Sequence, residues 1–192
     1  MLGRRYDSEE ALGLASSVMG ALRSYVHEAS HELAGERGMY PSFFGSEYND
    51  RMYEMRNTAP TTIAPTGTIS IIAGCSSGIE PLYGIRFIRT VMDGSILREY
   101  HPMLAALADW AGDVPAWVGE VFRTAHQISP YWHVRMQAAF QQHTDNAVSK
   151  TINLPEDATV ADVREAYELA HRLGCKGITV YRNASKRGQV LS

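Results

Sequence analysis

The sequence predicts an α/β domain rich in helix, and three observations carry that reading. Strand, helix and strand follow one another between Ala147 and Tyr181, the pattern of a parallel pair joined by a helical crossover. A segment from about Ser8 to Glu36 repeats its apolar residues at helical spacing. No proline-, glycine- or serine-rich linker divides the 192 residues, so a single domain over 1–192 is expected.

Composition narrows the function classes. Hydrophobic residues form 45% of the chain, enough for a core. The 18 basic and 21 acidic side chains leave a net charge of -3, which argues against a nucleic-acid or membrane face but allows a local anion site. No apolar run is long enough to span a bilayer, and MLGRRYDSEE lacks the apolar stretch of a signal peptide. A cytoplasmic location is therefore expected. Cys75 and Cys175 form neither a CxxC pair nor a metal-ligand spacing and read as reduced, buried thiols.

In residues 1–38, Leu12, Ala15, Val18, Met19, Leu22, Val26, Ala29 and Leu33 define a helix face, and Gly38 marks its end. Pro41, Gly45, Asn49 and Asp50 then form a loop. In residues 60–84, Thr61–Ala64 reads as a buried strand stopped by Pro65 and Gly67, and 74–78 as a second loop. In residues 128–182, Ser129-Pro130 offers an N-cap and a proline at the first helical position, with Trp132, Met136, Ala139 and Phe140 on one face. Ala147–Leu154 reads as a strand. Thr159 and Asp162 make a capping box before a helix whose face is Val163, Ala166, Tyr167, Ala170 and Leu173. Gly174 ends that helix, and Ile178 and Val180 alternate into a strand ending at Tyr181.

The run Thr62-Ile63-Ala64-Pro65-Thr66-Gly67-Thr68-Ile69-Ser70 has the features of an anion cradle. Gly67 permits a turn that gathers backbone N–H groups, and the hydroxyls of Thr66, Thr68 and Ser70 crowd it. A helical turn starting near Thr68 would aim its free amides at a phosphate or diphosphate. The same residues also suit a hydroxyl-capped helix start that binds nothing. No Walker lysine is present, which excludes the P-loop class.

TIAPTGTISIIAGCSSGIEPLYG, ISPYWHVRMQAAFQQHTDNAVSKTINLP and LGCKGITVYRN, in that order, resemble class II, adenosylcobalamin-dependent ribonucleotide reductases from about Met39 to Arg182. The resemblance implies the C-terminal portion of a ten-stranded α/β barrel whose finger loop bears a thiyl-radical cysteine. It implies that Ala64, Pro65, Thr66, Gly67, Thr68 and Ser70 bind the phosphates of a ribonucleotide. Tyr181 matches a tyrosine near the end of the barrel, where metal-radical relatives use a tyrosine pair; Val180 stands in place of the first, and Tyr181 either lines the site or packs. Adenosylcobalamin is the implied cofactor of the assembled enzyme.

The family's radical cysteine lies in an Asn-x-Cys-x-Glu string, and this sequence contains none. The reducing cysteine pair is also missing, so this chain alone is not expected to reduce ribonucleotides. Two readings follow: the small half of a split reductase completed by an N-terminal half, or by further copies in an oligomer, and a truncated fragment. An orphan phosphate-binding remnant without catalysis is the alternative.

His27-Glu28-Ala29-Ser30-His31 is a literal HExxH, the signature of zinc hydrolases. Glu32 directly after the second histidine, Ala34 at the metzincin glycine position and the lack of a third ligand speak against it, and a solvated helix face is expected. His133 receives no role from its spacing; His101, His126, His143 and His171 read as surface or capping residues. Glu80 is either functional or a structural partner of the nearby loop.

Overall fold

Ser8 starts the first helix, α1 (Glu9–Arg37), by accepting the Ala11 N–H on its hydroxyl at 3.2 Å. The computed structural model describes residues 3–84, 86–90, 96–100 and 116–185. Glu9 and Glu10 in the first turn and Arg37 in the last complement the helix dipole, and Gly38 at φ 76 closes the helix. Its buried face is Leu12, Ala15, Met19, His27, Ser30 and Ala34. Val18 and Leu22, expected inside, are 55% and 49% exposed. The inward row turns polar at His27 and Ser30 because the polar partners Asp145 and Asn57 lie opposite.

Tyr40, Phe43 and Met55 form a small core around α2 (Glu47–Asp50). The strand expected over Thr61–Ala64 is reduced to one parallel bridge, Ile63↔Val148. Pro60 and Pro65 flank it and carry no amide to donate, so a ladder has no room to extend. The short helix α3 (Gly67–Ala73) follows. An antiparallel pair that the sequence pattern does not predict, β1 (Arg86–Thr90) and β2 (Ile96–Tyr100), runs in register from Arg86↔Tyr100 to Thr90↔Ile96. Helix α4 (Ala116–Val121) leads to a second parallel bridge, Leu82↔Thr124.

Helix α5 (Pro130–Gln141) is the centre of the described core. Met136 and Ala139 pack on Leu12 and Ala15 of α1, flanked by Trp132 and Phe140 as its spacing predicts. Val134, on another side, packs on Ile152, Ala166 and Ala170. Burial on both sides is what a single amphipathic face fails to reveal. Ser129 is the N-cap residue but its side chain makes no capping bond.

β3 (Thr151–Leu154) pairs in parallel with β4 (Thr179–Arg182), from Thr151↔Thr179 to Leu154↔Arg182. Of the strand expected from Ala147, only Val148 pairs before Thr151, through its isolated bridge. The crossover is α6 (Val160–Arg172), and its Thr159–Asp162 capping box is complete. Gly174 at φ 74 donates to His171 O and Cys175 to Ala170 O, a Schellman closure that turns the chain into β4. Tyr167 and Leu173, expected on the buried face, are 48% and 39% exposed.

Candidate functional site: the loop before helix α3

The loop is anchored at its start by Asp145. One Asp145 carboxylate oxygen accepts the Thr61 N–H at 3.1 Å and the Thr61 hydroxyl at 2.8 Å, while Thr61 Oγ1 accepts the Asp145 N–H at 2.9 Å. Asn146 N–H donates to Thr61 O and Ser149 N–H to Ile63 O, so residues 145–149 run alongside 61–63.

Thr66 then adopts the left-handed conformation, φ 51 and ψ 31, which is costly for a β-branched residue. Its surroundings enforce it. Thr66 Oγ1 accepts the Gly78 N–H at 2.9 Å, and the Ser77 hydroxyl donates to Pro65 O. Gly78 is itself left-handed at φ 53, and a Cβ there would sit 3.2 Å from Ala64 O.

The helix begins at Gly67, one residue before the expected Thr68. Its first backbone bond runs from Ser70 N–H to Thr66 O, leaving the amides of Gly67, Thr68 and Ile69 ahead of the helical ladder. The three hydroxyls do not converge as expected. Thr66 faces Gly78, and buried Ser70 donates to Gly67 O at 2.9 Å; Thr68 is exposed. Ala64 and Pro65 are exposed, and a Cβ at Gly67 would meet open space. The first turn of α3 carries no acidic residue. What remains available to an anion is a set of backbone amides with one hydroxyl.

Behind the loop lies a polar cluster around Lys150, Glu80 and His133. Lys150 has a fully buried side chain, and its Nζ donates to Glu80 Oε2 at 2.5 Å. Burial pushes the Lys150 ammonium below its ordinary pKa, and the Glu80 carboxylate opposes that shift. Glu80 is thus a structural partner of the segment leading into β3. His133 Nε2 donates to Ala125 O at 3.0 Å, and burial, with Lys150 nearby, lowers its imidazole to about 4. Asp145 and Lys150 lie within the string ISPYWHVRMQAAFQQHTDNAVSKTINLP, but neither its spacing nor the polar surroundings of Tyr6 assigned these residues a role.

His27 is a correction: it is buried and not on a solvated face, with Nε2 against both Asp145 oxygens. His31 is exposed, bonded through Nδ1 to Glu54 O and stacked on Tyr53, so the two imidazoles serve different neighbours. Among the described residues no group of three His, Cys, Asp or Glu is placed to hold a metal ion. Cys75, expected buried, is exposed, and Cys175 is half-buried. Tyr181 on β4 is half-buried beside Tyr83; burial, and next the Tyr181 charge, raise the Tyr83 phenol, and Tyr83 meets His126 edge-on at 5.3 Å. His143 bonds Ser16 of α1 at 2.8 Å, and His171 is exposed. His101 lies outside the described residues. No described helix is long and apolar enough to cross a membrane.

A parallel pair with a helical crossover, a left-handed turn at Thr66 and further parallel bridges fit part of an α/β barrel. The barrel domain of ribonucleotide reductase matches residues 1–55 and 51–181, and the chain belongs to that family. A vitamin B12-dependent ribonucleoside-diphosphate reductase of Thermoplasma acidophilum is 46% identical over 206 residues, 97% of this chain and 27% of that protein. The protein of the same description from Mycobacterium tuberculosis (strain H37Rv) is 46% identical over 211 residues, 100% of this chain and 30% of that protein. The chain therefore spans under a third of the length of these relatives. Among solved structures, the Actinobacillus ureae class Id ribonucleotide reductase alpha subunit superposes with a TM-score of 0.76 at 23% identity, over 95% of this chain and 36% of that one. The fold is that of part of the reductase barrel.

Proposed function

We propose that this chain supplies the substrate-phosphate site of a vitamin B12-dependent ribonucleotide reductase, with a ribonucleoside diphosphate as substrate. The observation that carries the reading is the turn over residues 64–70, which leaves three amides ahead of the helical ladder and open space beside Gly67, in a chain of this family. Ala64, Pro65, Thr66, Gly67, Thr68 and Ser70 form the cradle. The amides of Gly67, Thr68 and Ile69 and the Thr68 hydroxyl donate to phosphate oxygens, while Thr66 and Ser70 hold the turn in shape. Tyr181 lines the barrel near its end or packs against Tyr83.

Anchoring the phosphates fixes where the ribose stands, and placement of a reactant can lower a barrier by roughly 7–11 kcal/mol. Adenosylcobalamin supplies the radical chemistry when bound to the assembled, cytoplasmic enzyme. Among the described residues His27, His31, His133 and His143 are each bonded within the chain and serve its structure. The sequence contains no Asn-x-Cys-x-Glu string, so the radical cysteine is assigned to an N-terminal half that completes the barrel.

The test is to mix the chain with an N-terminal half of the family, adenosylcobalamin, a dithiol and a ribonucleoside diphosphate. Deoxyribonucleotide formed only by the mixture supports the reading. No product from a cognate half that demonstrably binds the chain removes the catalytic role and leaves a phosphate-binding remnant.

A further inference from the structure

Both flanks of the loop are held by one stretch of chain. Residues 145–149 hold its start, and the next two residues hold the strap over 77–80 that closes it. Lys150 Nζ donates to Glu80 Oε2, and Glu80 Oε1 accepts the N–H of Thr151, the first residue of β3, at 2.5 Å. Lys150 also donates to Thr151 O at 2.9 Å. Tyr6 grips the neighbouring residue from the other side, its hydroxyl donating to Ile79 O at 2.6 Å, with its ring centroid 5.7 Å from Lys150 Nζ. Just upstream, Ser77 and Gly78 donate to Pro65 O and Thr66 Oγ1. A continuous run of bonds thus leads from β3 through Glu80 to the left-handed turn at Thr66.

A buried ion pair is a poor way to gain stability, since well-packed apolar residues often do as well. What this one gives is position. Glu80 meets the ammonium and the Thr151 amide together only at one place along the chain, and residues 77–78 follow from it. We propose that Glu80 and Lys150 are positioning residues that set the Thr66 turn, and with it the aim of the 67–69 amides at a diphosphate. The proposal rests on reading residues 64–70 as the phosphate cradle. It makes the Thr66 hydroxyl an internal acceptor and not a ligand.

The test measures amide hydrogen exchange and pyrophosphate binding on the full chain. In Glu80→Ala, exchange at Gly78 and Ser70 accelerates and pyrophosphate affinity falls, each by about tenfold, the scale of one lost charged hydrogen bond. Glu80→Gln, which keeps one acceptor, falls between that variant and the unsubstituted chain. Exchange at Ile152 and Ala166 stays unchanged, which a general loss of structure would not allow. Should Glu80→Ala fail to fold, Ser77→Ala removes the next link without stranding a charge and gives the same acceleration confined to the loop. A folded Glu80→Ala or Ser77→Ala with unaltered exchange at Gly78 and Ser70 overturns the proposal. No pyrophosphate binding by the unsubstituted chain, with the exchange differences intact, removes the cradle reading and leaves the brace standing.

Discussion

His27 and Asp145 lie 118 residues apart and meet inside the protein, with His27 Nε2 at 3.0 and 3.1 Å from the two carboxylate oxygens. The same carboxylate holds Thr61 at the start of the loop before α3, and Arg23 stands 3.5 Å away. Helix α1 is thereby fastened to the loop through one aspartate, whose side chain is only 8% exposed.

Asp145→Asn is expected to destabilise the chain by about 1–3 kcal/mol at neutral pH, because one acceptor replaces two and a donor faces Thr61. Burial raises the Asp145 carboxyl, but the bonds from Thr61 and His27 outweigh it and leave the pKa below its ordinary value. A depressed carboxyl contributes stability above its unfolded pKa and loses it as the pH falls through the folded one. Urea titrations at pH 7 and pH 3 should show the variant's deficit shrinking at the lower pH. An equal deficit at both would contradict the assignment.

His133 acts in a higher pH window. Its imidazole titrates at about 4 in the fold, against about 6.5 when unfolded. The unfolded chain therefore binds the proton first, and stability declines from about pH 6.5 down to about 4, by an amount on the order of 3 kcal/mol. His133→Gln, which keeps a donor for Ala125 O, should flatten that decline in denaturation curves taken across the window. A variant with the unsubstituted slope would place its origin elsewhere.

Two thiols should label at very different rates. Burial pushes the Cys175 thiol up to about 11, which leaves about one thiolate in a thousand at pH 8, whereas Cys75 stands exposed beyond α3. A maleimide followed by peptide mapping should modify Cys75 first, with Cys175 lagging until urea is added. Comparable rates in the folded chain would contradict the burial of Cys175.

Two glycines of the loop should respond in opposite ways. Gly78→Ala meets a left-handed φ and the Ala64 carbonyl, and is expected to cost about 1–2 kcal/mol of stability. Gly67→Ala meets open space and should leave the melting temperature nearly unchanged. It nevertheless places a methyl where a phosphate would approach the amides, so diphosphate affinity should fall. A Gly67→Ala chain with full affinity would move the ligand away from this turn.

The sequence made local structure legible where chemistry is local. The Thr159–Asp162 box, the Gly38 and Gly174 stops and the Ala166–Ala170 face are written in neighbouring residues. Long-range polar partners were hidden. Nothing near Lys150 in sequence points to Glu80, and nothing near His27 points to Asp145. The loop's place was legible in PTGT, but its inner wiring was not: Thr66 and Ser70 spend their hydroxyls on Gly78 and Gly67, a choice set by tertiary contact. The burial of polar His27 on α1 has the same cause, since Asp145 lies opposite it.

The cradle itself is tested most directly by following the backbone amide resonances of the labelled chain during titration with a ribonucleoside diphosphate and, separately, with its unphosphorylated nucleoside. Saturable shifts centred on Gly67, Thr68 and Ile69 are expected with the diphosphate alone. Shifts of equal size with the nucleoside, or none in residues 64–70 while the diphosphate binds elsewhere, would contradict it.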